Sequence, residues 1–325
     1  MIKSIKPARL RPGDRIGVIS PSEPVTSKKR LYQGVKVLEE MGFKVVLGDN
    51  VLGQYGIYMA GTDKERASDI NAMFRNPKIK GIFCTVGGLS SNRLLGLIDY
   101  KMIKKNPKVL MGFSDITVLL NAIHKKTGLI TFHGEHVEYG FSRGLERRYR
   151  YTRAYFEKAL MSAKPIGDIE PFEEPIRILK PGKTDGLLLG GNMEILAGLI
   201  GTEYEPDWEE KILFWEEFTE TPEDIDFFLT RLRLAGVFDK ISGMVIGKLT
   251  NCDFPYRYKK SAKKEGLGID KIILEICQDF QFPIVTGVPF GHVHPQVTIP
   301  IGVRAVIDAN NKKKPLFSIV ERAVK

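Results

Sequence analysis

From Arg15 onward the chain alternates short apolar runs with amphipathic stretches. "RIGVIS" is followed by "KKRLYQGVKVLEEMG", "FKVVLG" by "DKERASDINAMFRNP", and "IKGIFCTV" by "NRLLGLIDYKMIKKN" and "KVLMG". Apolar runs of this length suit strands buried on both faces, and the longer stretches between them suit crossover helices. Gly and Pro at each join give the register of an α/β fold, an open parallel sheet covered by helices. In such sheets the carboxyl ends of the strands carry the chemistry. After Gly144 the pattern changes. "LERRYRYTRAYFEKALMSAKP" reads as a helix, and "IGDIEPFEEPIRILKPGKTDG" is dense in Pro, Gly and charge. Beyond it come "KILFWE", "ISGMVIGKL", "PIVTGVP" and "RAVIDA", strands of a second, β-rich domain with two helices. The expected division is 1–165, a connection over 166–184, and 185–325.

Composition narrows the function classes. Of the 325 residues 43% are hydrophobic and 27% charged, a globular balance with room for two cores. No apolar run approaches the roughly 20 residues of a membrane-spanning helix. The N-terminal stretch has basic residues but no apolar centre ahead of its first strand, and the three cysteines are scattered. The expected compartment is therefore the cytoplasm, with no disulfide framework and no membrane partner. A net charge of +10 invites a nucleic-acid reading, but the lysines are spread along the chain. The densest clusters, "RYKKSAKK" and "NKKKP", read as solvated loops, so no nucleic-acid partner is expected and small anionic molecules fit better.

One corner of the sheet holds a candidate nucleophile. In "KVLMGFSDITVLLNAIHKKTG" a wholly apolar run meets Ser114 and Asp115, after which Ile116, Leu119, Leu120 and Ile123 share one helical face. Ser114 thus falls at a strand-to-helix turn, where its hydroxyl can leave the sheet edge and nearby N–H groups can receive an oxyanion. The turn is similar to a nucleophile elbow without the full G-x-S-x-G pattern. Serine and aspartate also cap helices, and this stretch alone leaves both roles open. Gly87 and Gly88 end the preceding strand. Their turn matches neither dinucleotide nor Walker patterns, and it lets a backbone amide face a cavity or simply turns the chain.

A serine hydroxyl needs a base, and the base needs an acid to orient it. "KILFWEE" ends in Glu216 and Glu217, which taken alone belong on the surface. Five histidines are present: His124, His133, His136, His292 and His294. Two of them sit in the Gly/Pro-framed "PFGHVHPQVTIPIG", a constrained loop suited to a general base. The H-x-H pair and "HGEH" could instead ligate a metal, although HExxH and CxxC are absent. The expectation is no metal and no cofactor.

Six segments in order resemble the LD-carboxypeptidase family of serine peptidases: "TVGGLSSNRLLGLIDY", "GFSDITVLLNAI", "GLLLGGNMEILAGLIGTEYEPD", "ILFWEEFTETPEDIDFFLTRL", "GVFDKISGMVIGK" and "GHVHPQVTIPIG". The family includes muramoyltetrapeptide carboxypeptidases and microcin C self-immunity peptidases. The resemblance implies a Rossmann-like N-terminal domain, a smaller β-rich α/β C-terminal domain, and homodimers. It implies Ser114 as nucleophile, Glu216 as acid and His292 as base. The amide of Asp115 and one from the Gly87–Gly88 turn would form the oxyanion hole, with His294 and Asn192 near the substrate. The substrate would be a small peptide or a peptidyl nucleotide. The implied reaction is cleavage of an amide beside a carboxyl terminus, first the L,D-bond of a murein tetrapeptide in cell-wall recycling. The alternative is an acylated or aminoacyl nucleotide toxin, and a rival of another class is a silent peptide-binding protein. Two features depart from the pattern. Glu135 stands where the family generally has proline, and the connection near 166–184 lacks the tryptophan-bearing segment of the immunity peptidases. "GGLSSN" and "HVHP", however, resemble that immunity branch.

Overall fold

The computed structural model describes residues 3–143, 147–252, 267–310 and 316–325. The basic clusters "RYKKSAKK" and "NKKKP" lie outside them. The chain forms two compact units, one of Met1–Ile166, His294–Val303 and Glu321–Lys325, the other of Gly167–Val293 and Arg304–Val320.

The first unit follows the expected alternation. It runs β1 (Arg15–Ile19), α1 (Lys28–Glu40), β2 (Lys44–Leu47), α2 (Asp63–Arg75), β3 (Ile79–Cys84), α3 (Tyr100–Lys105), β4 (Val109–Gly112), α4 (Thr117–Thr127), β5 (Thr131–His133) and α5 (Arg147–Leu160). Local chemistry sets the helix ends. Thr62 and Glu65 close a reciprocal capping box on α2, and Gly128 at φ 79° ends α4. β2, β1, β3, β4 and β5 are neighbours in that order and all parallel, so the chain winds one way from β1 to β2 and the other way from β1 to β3. The carboxyl ends of β1 and β3 flank this switch point, where ligands bind in open α/β sheets. Val109, Leu110 and Met111 of β4 are fully buried, as their apolar run requires.

The second unit carries β6 (Gly167–Asp168), β7 (Arg177–Lys180), β8 (Lys183–Asn192), α6 (Met193–Leu199), β9 (Lys211–Phe218), α7 (Pro222–Leu234), β10 (Gly243–Thr250), α8 (Ile269–Ile276) and β11 (Ile284–Thr286). The chain then adds β12 (Ile299–Ile301), β13 (Arg304–Asp308) and β14 (Phe317–Ile319). Among the described residues the second sheet has eight strands, ordered β6-β14-β13-β8-β9-β10-β11-β7, with β8 to β11 parallel and the rest antiparallel.

Three features differ from the sequence-based division. The stretch 166–184 holds β6, β7 and the start of β8. β6 and β7 are the two edges of the sheet, and proline and charge are the marks of an edge strand as much as of a connection. β12 leaves the late loop and pairs antiparallel with β5, so His294–Val303 belongs to the first unit. Third, α6 joins the two expected helices, capped by Asn192, whose side chain accepts from the Ile195 N–H.

β8 and β9 pack so closely that Gly190 is obligatory. It holds φ 155°, and a Cβ there would lie 1.8 Å from the Phe214 carbonyl oxygen. Gly190→Ala is expected to destabilise the fold by about 2–4 kcal/mol, through backbone strain and forced separation of the strands. Urea denaturation at constant pH measures it.

Candidate active site

The first cluster is built on the turns that follow β1, β3 and β4. β4 ends at Gly112, where a Cβ would lie 2.9 Å from the Ile116 side chain. Ser114 follows at φ 57°, a left-handed conformation that a non-glycine residue holds only against a local energy penalty. It opens a 3-10 turn, Ser114–Ile116, whose N-cap is Phe113, while α4 has Ile116 as its N-cap. Ser114 is therefore the first residue of that turn and not the assigned N-cap of either helical segment.

Asp115 is buried and does structural work with its carboxylate. Its Oδ2 accepts from the Ser90 N–H at 2.9 Å, from the Ser91 N–H at 2.8 Å, and from the Ser22 hydroxyl. The Ser91 hydroxyl donates to the Asp115 carbonyl oxygen at 2.8 Å. Buried Arg66 braces the same loops, donating to the Pro21 carbonyl at 2.7 Å and to Ser90 Oγ at 2.9 Å. Gly87 and Gly88 are both sterically required. A Cβ on Gly87 would lie 2.9 Å from Ser114 Cβ and 3.0 Å from its Oγ, and one on Gly88 would collide with Glu23 and Ser22. The glycine turn is thus packed directly against the serine.

His136 completes this cluster, with no signal in the sequence beyond the "HGEH" spacing. Its Nε2 accepts the Phe113 N–H at 3.2 Å and its ring stacks on Phe113 at 4.2 Å. In the same unit Glu135 is buried and its Oε1 lies 3.2 Å from His294 Nδ1. Among the described residues no three His, Cys, Asp or Glu side chains converge as a metal site.

The second cluster lies at the carboxyl end of β9. Glu216 and Glu217 are both buried, at 0% and 1% exposure, which overturns the surface placement that their position after an apolar run suggests. β9 is an interior strand between β8 and β10, so its end is covered by the elements that follow its neighbours. Glu216 Oε2 lies 2.7 Å from His292 Nδ1 and accepts the His292 N–H at 3.2 Å. A carboxylate can only accept, so Nδ1 carries the proton and Nε2 is the basic nitrogen. Phe218 stacks on the imidazole at 4.7 Å, and Thr250 donates to the His292 carbonyl at 3.1 Å. Gly291, at φ 104°, lets the loop approach, since a Cβ there would lie 2.6 Å from Glu216 Oε2.

Asn192 links the two glutamates. Its Nδ2 donates to Glu217 Oε2 at 3.1 Å and to Glu216 Oε1 at 3.4 Å. Glu217 also accepts the Glu194 N–H at 2.7 Å and the Phe218 N–H at 2.9 Å. Burial and the neighbouring charge of Glu216 push the Glu217 carboxyl up to about 8, against the pull of those N–H donors. The structure thus gathers Ser114, Asp115, Gly87 and Gly88 in one cluster and Glu216, His292 and Asn192 in another. His294 falls with Glu135 in the first unit.

Comparison with known proteins agrees with this architecture. Residues 16–134 match the LD-carboxypeptidase N-terminal domain and residues 185–307 the LD-carboxypeptidase C-terminal domain. The protein is accordingly a serine-type peptidase. It belongs to the LD-carboxypeptidase family. A probable murein peptide carboxypeptidase from Bacillus subtilis (strain 168) is 36% identical, over 94% of this chain and 92% of the relative. The microcin C7 self-immunity protein MccF of Escherichia coli is 34% identical, over 97% and 95% respectively. The crystal structure of an MccF-like protein from Bacillus anthracis str. Ames is 33% identical, with TM-score 0.88 over 98% of this chain and 100% of that one.

The raised Glu217 carboxyl makes a signed prediction. The folded state binds this proton more tightly than the unfolded chain, so its contribution to stability is complete below about pH 4.5 and is lost as pH rises through about 8. Glu217→Gln removes the titration. The stability difference between wild type and variant, from urea unfolding at several pH values, should shift against the wild type between pH 5 and 8 and then level.

Proposed function

We propose that the protein is a serine carboxypeptidase that cleaves the amide next to a carboxyl terminus, with the L,D-bond of a murein tetrapeptide as substrate. Ser114 attacks the carbonyl, and Nε2 of His292 takes its proton and returns it to the leaving amine. Glu216 orients the imidazole and stabilises its charged form. The amide of Asp115 and one from the Gly87–Gly88 turn hold the oxyanion. No metal or cofactor takes part. The observation that carries this reading is Ser114, held in a left-handed turn at a β-strand's carboxyl end against two obligatory glycines. Likeness to a probable murein peptide carboxypeptidase supports the substrate class. The reading places the enzyme in the cytoplasm, as a homodimer serving cell-wall recycling.

Likeness to MccF over nearly the whole chain favours a second reading, an immunity peptidase acting on an acylated or aminoacyl nucleotide. Mass spectrometry after incubation with a murein tetrapeptide and with an aminoacyl-sulfamoyl nucleotide separates the two. Release of terminal D-alanine supports the first, and cleavage of the nucleotide conjugate alone supports the second.

Ser114→Ala should lower kcat by about 10⁴–10⁶-fold while the fold survives, because the attacking atom is gone. Glu216→Gln should cost far more activity than Glu217→Gln, because Glu216 bonds the imidazole and Glu217 bonds Asn192 and the start of α6. His292→Ala should lose nearly all turnover, whereas His294→Ala should mainly raise KM. Dialysis against EDTA should change nothing. Near-normal turnover in a folded Ser114→Ala variant would sink the nucleophile assignment, and restoration by zinc after chelation would sink the metal-free mechanism.

A further inference from the structure

The loop after β5 brings a group to the serine corner that the proposed mechanism leaves without a task. His136 is 2% exposed. Its Nε2 accepts the Phe113 N–H at 3.2 Å, and its ring stacks on the Phe113 ring with the planes 25° from parallel. The same imidazole reaches the glycine turn. A Cβ on Gly87 would lie 3.4 Å from His136 Cε1 and 3.0 Å from Ser114 Oγ. A ring nitrogen that accepts carries no proton, so the hydrogen sits on Nδ1.

The support beneath this side chain is rigid. Val137 donates its N–H to the Cys84 carbonyl at 3.1 Å and Glu138 donates to the Thr85 carbonyl at 3.0 Å, which laces the loop along the end of β3. The Glu138 carboxylate accepts the N–H groups of Thr26 and Ser27 at 3.0 and 2.7 Å, tying the loop to the start of α1. Gly34 of α1 packs on the same segment, where a Cβ would lie 2.0 Å from the Val137 carbonyl oxygen.

Ser114 is thereby held from both sides. β4 ends at Gly112, so beyond the strand the Phe113 N–H is received by a side chain, that of His136. On the other side the Asp115 carbonyl accepts the Ser91 hydroxyl at 2.8 Å. A serine at φ 57° relaxes to ordinary backbone unless its neighbours are fixed. We propose that His136 is a positioning residue for the nucleophile, acting through Phe113 and Gly87 to keep the Ser114 hydroxyl and the glycine turn at one spacing. The assignment rests on the reading of Ser114 as nucleophile above.

Two variants separate the accepting nitrogen from the stacked ring. His136→Phe keeps the ring without an acceptor, and His136→Gln keeps an acceptor without the ring. Each is compared with the wild type in turnover of a murein tetrapeptide and in the rate of Ser114 labelling by a fluorophosphonate, with urea unfolding as the check on folding. His136→Phe should lower kcat by about 10–100-fold, the cost of a small misplacement, with KM within about twofold. Its labelling rate should fall by the same factor, and His136→Gln should stay within about fivefold of the wild type in both. A ring needed only for packing gives the reverse order, and that result overturns the assignment. So does a His136→Phe variant as fast as the wild type, or a folded His136→Gln slowed more than about tenfold. The labelling series decides the assignment whether or not the tetrapeptide is cleaved. A wild type that is neither labelled at Ser114 nor active on the peptide overturns the nucleophile reading and the assignment with it.

Discussion

The first cluster depends on one buried carboxylate. Asp115 gathers two backbone N–H groups and a hydroxyl on a single oxygen, drawn from the turns after β1 and β3, while its own backbone follows Ser114 in the turn after β4. Buried donors left without a partner cost about 1–3 kcal/mol each, so this oxygen binds three turns into one arrangement. The left-handed Ser114 is tolerated because the surrounding turns leave it little alternative. Arg66 repeats the device, donating to the carbonyls of Pro21 and Ser90 in two of these turns and to that of Gly61 in the loop ahead of α2. A site on loops thereby acquires the rigidity of the sheet that presents them.

The second cluster solves a different problem, the burial of two adjacent carboxylates. Like charges side by side in a low-dielectric setting are unfavourable, and the structure answers with donors. Asn192 reaches both, the first turn of α6 supplies an N–H to Glu217, and His292 supplies its ring and backbone N–H to Glu216. The two glutamates are thereby divided in role. One meets an imidazole and the other meets the start of a helix. On the proposed reading this division assigns Glu216 to orienting the histidine and leaves Glu217 to hold Asn192 and the start of α6.

Much of the fold was legible because its causes are local. Alternating apolar runs and capped helices named the parallel sheet, and "VLMG" before Ser114 named the corner. Features made by distant pairing were not legible. The charge and proline around 166–184 read as a connection, yet they mark edge strands, because nothing within β6 or β7 records which strand lies beside it. The "TIPIG" run gave no hint that β12 crosses to pair with β5. Glu216 and Glu217 read as surface, because burial of β9's end is imposed by neighbours more than twenty residues away at Asn192 and more than seventy away at Gly291.

By itself the sequence determined the α/β class, the strand-to-helix corner that bears Ser114, the paired glycines beside it, and, through motif resemblance, the candidate acid and base. Tertiary structure alone decided that Ser114 holds a left-handed turn, that Asp115 ties three turns together, and that both glutamates at the end of β9 are buried with different partners. The reason is physical. Strand and helix periodicities are written in neighbouring residues, whereas a buried hydrogen bond or an unpaired charge is defined by which distant groups the fold brings within 3 Å, or fails to bring.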